Sequence, residues 1–194
     1  MTETTLILAS TSPYRRELLQ RLGIPFDVAA PGTVESLHSG ESPADMVARL
    51  AREKAAAVAE LRDSGLVIGS DQCAVLGGLV LGKPGSFDRA VSQLAAASGH
   101  TVRFLTAVCV HDAATGKIRE ALDETVVKFR TLDAAEIRRY VDREQPLDCA
   151  GSFKSEGLGI TLFERIENSD PSALMGLPLI ALAGLLRDAG LQLP

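Results

Sequence analysis

Ser12, Arg15, Lys54 and Lys83, together with the acids Glu35 and Asp71, are the side chains of this chain whose types suit work on a phosphoanhydride. Such chemistry needs cations spread over phosphate oxygens, a hard divalent cation to neutralise developing charge, and a carboxylate to orient water. Ser12 and Arg15 fall where a helix begins. Arg15 and Arg16 both occupy the first turn there, the end of a helix dipole that disfavours cations by a few tenths of a kcal/mol each. A phosphate on the loop N–H groups, the serine hydroxyl and the guanidinium fork would offset that cost; two solvated arginines are the alternative.

The element that presents this loop is legible from spacing. Leu6-Ile7-Leu8-Ala9 is too short a run for a helix. Ser12 suits the N-cap position, Pro13 suits the first turn, and Leu18, Leu19 and Leu22 recur at helical spacing until Gly23. Phe26 to Ala30 reads as a short strand before Pro31-Gly32 and the loop that carries Glu35. Ser42 to Glu60 reads as a helix with Met46, Val47, Leu50, Ala51 and Val58 on its apolar stripe. Lys54, four residues after Leu50, falls at the edge of that stripe, and a solvated helix lysine is the alternative there.

Leu66 to Asp71 reads as an apolar strand ending in a carboxylate, and strand ends are where ligands gather in α/β sheets. Gln72 follows. Val75 to Val80, broken by Gly77-Gly78, reads as a hairpin that delivers Gly82-Lys83-Pro84. Asp88 to Ser98 is a small-residue helix, Thr101 to Val110 pairs with the run through Val126, Val127 and Phe129, and Asp133-Ala134-Ala135-Glu136 opens a further helix. Cys149 to Ile160, with three glycines around Lys154 and Glu156, reads as a loop or an exposed turn with a charge pair. A strand is expected from Ile160 to Ile166, then the Asn168–Pro171 turn and a closing helix reached through Gly176-Leu177-Pro178-Leu179. Strands and helices mix without a repeated βαβ rhythm, so the expected class is α/β, or mixed α+β, with a mixed sheet.

Composition narrows the function classes. No linker-like or single-sign stretch divides the 194 residues, so one domain over 1–194 is expected. A net charge of −5 argues against a binder of nucleic acid by broad phosphate neutralisation and favours small anionic ligands. The first apolar run is far too short to span a bilayer and Met1–Thr5 carries no basic leader, so a cytoplasmic protein with no membrane partner is expected. Cys73, Cys109 and Cys149 are odd in number and widely spaced, which suits reduced packing residues. Cys149 as a nucleophile lacks a local base, because His38, His100 and His111 are all distant in sequence.

The ordered set Ser10-Thr11-Ser12-Pro13-Tyr14-Arg15-Arg16-Glu17-Leu18-Leu19, Ala51-Arg52-Glu53-Lys54-Ala55, Gly69-Ser70-Asp71-Gln72, Gly82-Lys83-Pro84, Cys149 to Ile160 and Gly176-Leu177-Pro178-Leu179 closely resembles the Maf family of nucleoside triphosphate pyrophosphatases. The resemblance runs from Leu6 to Leu186. It implies an elongated mixed sheet flanked by helices, in two lobes with a central cleft, a possible homodimer, and hydrolysis of a nucleoside triphosphate to monophosphate and pyrophosphate with Mg2+ or Mn2+. It implies Asp71 as proton acceptor, Ser12, Arg15, Lys54 and Lys83 around the triphosphate, and Glu35 with Asp71 on the metal. Val34 stands where relatives often have a second acid, so Glu35 would need Asp71 or water to complete the metal shell; Asp170 could contribute, or serve only its Asp-Pro turn.

Tyr14, Gln72 and Glu156 resemble the branch acting on 7-methyl-GTP, whereas branches acting on dTTP and UTP typically carry Arg, Thr and Gln there. An aromatic face on the cationic 7-methylguanine is worth about 0.5–2 kcal/mol. Glu156 can accept from the guanine N1–H and 2-amino edge. The same fold acting on dTTP or UTP, or a nucleotide-binding regulator of septum formation with negligible turnover, are the alternatives.

Overall fold

The computed structural model describes residues 5–36 and 38–193; the leader-free reading of Met1–Thr4 therefore lies outside the described residues. Among the described residues seven strands and five α-helices alternate irregularly: β1 (Leu6–Ala9), α1 (Pro13–Gln20), β2 (Asp27–Ala29), α2 (Pro43–Ala59), β3 (Leu66–Leu76), β4 (Leu79–Leu81), α3 (Phe87–Ala97), β5 (Thr101–Asp112), β6 (Ile118–Phe129), α4 (Ala134–Glu144), β7 (Phe163–Glu167) and α5 (Leu179–Asp188). The sheet runs β2-β1-β3-β5-β6-β7, with β4 added to β3. It is mixed, as expected: β1 is parallel to both β2 and β3, with Leu8 opposite Val28 and Ile68, while β3 with β4 and β6 with β7 are antiparallel. No helix among the described residues is long and apolar enough to cross a membrane.

The chain forms two compact units. The first takes in the described residues up to Asp71, then Thr106–Asp123 and the chain from Asp170; the second takes in Gln72–Leu105 and Glu124–Ser169. In the first unit, period-two alternation on β1 and β3 sends Leu6, Leu8, Leu66 and Ile68 to one side, where they bury against Leu18 and Leu19 of α1 and Leu182 and Leu186 of α5. The opposite side meets α2. A Cβ built on Gly69 would stand 2.1 Å from the Ala51 carbonyl oxygen and 2.7 Å from the Ala55 nitrogen, so the helix lies directly on the strand backbone. Only glycine permits that approach.

In the second unit α3 packs on α4, and Phe104, Phe129, Phe153 and Phe163 form an edge-to-face cluster with centroids 4.7–5.7 Å apart. That cluster corrects the reading of Cys149 to Ile160 as a loop outside the core. The segment holds two 3-10 turns, Ala150–Ser152 and Leu158–Leu162, and Gly151, Ser152 and Phe153 are buried. The last strand accordingly begins at Phe163, later than the apolar run from Ile160 suggested. A second correction concerns β3, which does not stop at Asp71 but continues to Leu76, because Ala74, Val75 and Leu76 find partners on β4.

Helix starts follow their capping residues. Ser12, Ser42, Ser86 and Asp133 each accept from the backbone N–H three residues on, which satisfies one otherwise orphaned donor per helix.

Candidate active site

The most unusual side chain of the first unit is Lys54. It is 4% exposed, on the buried side of α2, so the solvated alternative does not hold. A buried ammonium needs compensation. Its Nζ donates to Asp71 Oδ1 at 2.6 Å and also pairs with Glu35, whose side chain is half exposed on the loop before α2. The close seating of α2 on Gly69 is what brings Lys54 over Asp71, two residues further along the same face of β3.

Asp71 is a buried carboxylate whose Oδ2 has no hydrogen-bond partner among the described residues. Burial raises its pKa above the ordinary 3.8; the Lys54 and Arg15 charges and the Lys54 hydrogen bond oppose that rise, and Glu35 adds to it. A carboxylate so placed combines two properties of a general base: it is kept ionised by cations beside it, and it holds a proton more tightly than a solvated acid does.

Arg15 lies half-buried in the first turn of α1, while Arg16 is exposed. The Arg15 backbone N–H is held by the Ser12 hydroxyl at 3.4 Å, and its Nε donates to the Gly176 carbonyl at 2.8 Å. Both Nη groups are without a hydrogen-bond partner among the described residues. Burial pulls the guanidinium pKa down, against the pull of the Asp71 and Glu35 charges. Ser10, also buried, accepts from the Ser12 N–H at 3.1 Å and so shapes the loop before the helix. The result is a flat guanidinium edge at a helix N-terminus, an arrangement matched to two oxygens of one phosphoryl group.

Of the residues singled out from sequence, Ser12, Arg15, Glu35, Lys54 and Asp71 are thus linked within the first unit, and Tyr14, half-buried on α1, belongs to it too. Gln72, Lys83 and Glu156 belong to the second unit. Gln72 is half-buried and next in β3, Lys83 is exposed after β4, and exposed Glu156 accepts from the Ser155 hydroxyl at 3.2 Å. Asp170 is not a free metal ligand: its two oxygens accept from the Ser172 N–H and hydroxyl and from the Ile180 N–H at 2.5–3.0 Å. It caps the start of α5. Cys73 and Cys109 are buried, and burial pushes the Cys109 thiol up to about 12, too high for a thiolate at neutral pH.

Two contributors have roles that composition and spacing do not announce. Gly69 admits the helix, and Gly176, at φ +112°, turns its carbonyl onto Arg15. A glycine just ahead of a Leu-Pro helix start was the one available signal for the second.

A hard cation fits the donor set. Glu35 and Asp71 converge on a single point, the Lys54 ammonium, and magnesium-like ions take one or two carboxylates, filling their shell with water and phosphate oxygens. Among the described residues no group of three His, Cys, Asp or Glu could hold a metal ion.

Fold and site together define an α/β protein with a charged cluster against its mixed sheet. A family model described as Maf-like protein matches residues 5–189, and the chain belongs to that family. It is 56% identical over 190 residues to the 7-methyl-GTP pyrophosphatase of Alcanivorax borkumensis, covering 98% of this chain and 96% of that protein. It is 58% identical to the protein of that name from Xanthomonas oryzae pv. oryzae, with 97% and 98% covered, and 52% identical to that from Pseudomonas aeruginosa, with the same coverage. Among solved structures, a HAM1 protein from Coxiella burnetii shares the fold, with a TM-score of 0.51 at 11% identity over 97% of this chain and 99% of that one.

Proposed function

We propose that this protein hydrolyses 7-methyl-GTP to 7-methyl-GMP and pyrophosphate. The observation that carries the reading is the buried Lys54–Asp71 pair, with half-exposed Glu35 on the same ammonium, beside the half-anchored Arg15 fork, in a chain more than half identical to proteins of that name. In this reading the Arg15 Nη groups and the Ser12 loop bind phosphate oxygens, and Lys54 and Lys83 add positive charge along the triphosphate. Asp71 Oδ2 takes the proton of the attacking water. The water oxygen bonds to the α-phosphorus, the bond from that phosphorus to the α–β bridging oxygen breaks, and its electron pair leaves on pyrophosphate. A magnesium or manganese ion held by Asp71 and Glu35 would spread the charge that develops on the phosphate oxygens.

For the base, the proposal assigns Tyr14 as a face for the cationic 7-methylguanine ring, Glu156 as acceptor for its N1–H and 2-amino group, and Gln72 as a further specificity residue. Pyrophosphate release across 7-methyl-GTP, GTP, dTTP and UTP, with and without magnesium, tests the whole reading. Turnover should be strongest on 7-methyl-GTP, require the metal, and fall by at least about 10²-fold in Asp71→Asn. Strongest turnover on dTTP or UTP would overturn the assignment of Tyr14 and Glu156. Nucleotide binding without turnover would favour a regulatory role.

A further inference from the structure

We propose that Ser70 is a positioning residue for Arg15, acting through the Gly176 carbonyl; this rests on the reading of Arg15 as a phosphate ligand. Ser70 lies on β3 between Gly69 and Asp71 but faces the other side of the sheet, where it is fully buried. Its hydroxyl stands 2.8 Å from the Ala107 carbonyl oxygen on β5 and 3.1 Å from the Gly176 carbonyl oxygen. A serine has one proton to give, so those two acceptors share it. The same Gly176 oxygen accepts from Arg15 Nε at 2.8 Å. A carbonyl offers two lone pairs, and here Ser70 and Arg15 take both.

The segment that carries Gly176 is fixed from its other end as well. Thr106, fully buried on β5, donates its hydroxyl to the Ala173 carbonyl at 3.1 Å. Asp170 accepts from the Ser172 N–H, the Ser172 hydroxyl and the Ile180 N–H, and the Ser172 hydroxyl accepts in turn from the Leu179 N–H at 2.8 Å. Residues 170–180 are therefore tied to themselves at both ends and to two strands in the middle. The tie lands on the atom that grips Nε. An arginine held only by its stem can spin its guanidinium plane; one held at Nε presents its two Nη groups as a fixed edge. Ser70 thus acts on phosphate recognition from the face of β3 opposite Asp71, without meeting the nucleotide.

The test is a double-mutant cycle in steady-state hydrolysis of 7-methyl-GTP with magnesium, using Ser70→Ala, Arg15→Ala and the double variant, with thermal melting of each. Ser70→Ala should raise KM about tenfold with kcat changed less than about threefold, and Arg15→Ala should raise KM further. In the double variant the Ser70 effect should vanish, because nothing remains for Gly176 to hold. KM defects that multiply would mark Ser70 as a structural residue and overturn the proposal. An unchanged KM in Ser70→Ala alone would do the same, with the reading of Arg15 left intact. An unchanged KM in Arg15→Ala would overturn both. Should Ser70→Ala not fold, Ser70→Cys keeps the volume with a weaker donor, and the same loss of effect in the Arg15→Ala background is expected of it.

Discussion

Adding one methyl group at Gly69 should disable the site from a distance. In Gly69→Ala the new Cβ meets the Ala51 carbonyl oxygen at 2.1 Å and the Ala55 nitrogen at 2.7 Å, both backbone atoms that no rotamer change can remove. Restoring the 3.4 Å of an ordinary contact displaces α2 from β3 by about 1.3 Å. Carried with the helix, Lys54 Nζ moves from 2.6 Å to nearly 4 Å from Asp71 Oδ1, beyond a hydrogen bond. Overpacking of this kind costs about 1–3 kcal/mol, and the strained ion pair brings the sum to about 3 kcal/mol. For a chain of 194 residues that lowers Tm by about 6–12 °C. A misplacement of this size should cost about 10²-fold in kcat/KM.

The matched control is Gly184→Ala within α5, where a Cβ meets nothing within 4 Å. There alanine should leave turnover unchanged and stabilise by up to about 1 kcal/mol, as expected of glycine replaced inside a helix. Differential scanning fluorimetry and pyrophosphate release on the two variants decide the matter. If Gly69→Ala melts within about 2 °C of the parent and turns over within twofold, the backbone contact does not seat Lys54, and the reasoning fails.

Two other expectations follow from the same geometry. Because burial holds the Asp71 pKa above 3.8, the acid limb of kcat/KM should lie above the ordinary carboxylate range, and Lys54→Gln, which removes the largest opposing charge, should push it higher still. The same shift means the fold holds an extra proton between the ordinary and the raised pKa, so stability from this group falls as pH rises through that window, readable in urea melts. Phe153→Ala removes a ring 5.2 Å from Phe104 and 4.7 Å from Phe163 and should cost about 3–5 kcal/mol by urea unfolding; a loss below about 1 kcal/mol would refute the core role given to residues 149–160.

Local chemistry made the start of the chain readable. Ser12-Pro13 with leucines at 18 and 19 specifies a capped helix within one short window, and Ser42-Pro43 and Asp133 do the same for α2 and α4. What is less legible depends on contacts that no single helical or strand window contains. Gly77-Gly78 announces a hairpin, but not that its first arm is continuous with the strand through Asp71, as the pairing of Ala74 with Leu81 on β4 makes it. Lys54 is legible as a site lysine or as a solvated one, and the carboxylate 17 residues away that buries beside it decides between them. Phe153 looks like one apolar residue in a glycine-rich loop until Phe104, Phe129 and Phe163 close around it. Asp170 shows its role only once Ile180 folds back onto it.

The placement of the two tyrosines gives the chain a natural pair of reporters. It has no tryptophan, and of its two tyrosines Tyr14 sits on α1 in the first unit while Tyr140 is buried on α4 in the second, its hydroxyl accepting from the Lys154 N–H at 3.0 Å. Ultraviolet emission and near-ultraviolet dichroism therefore carry one phenolic signal from each unit. A phenylalanine at either position leaves a single tyrosine, so the order in which the two units lose structure can be watched without attaching a dye.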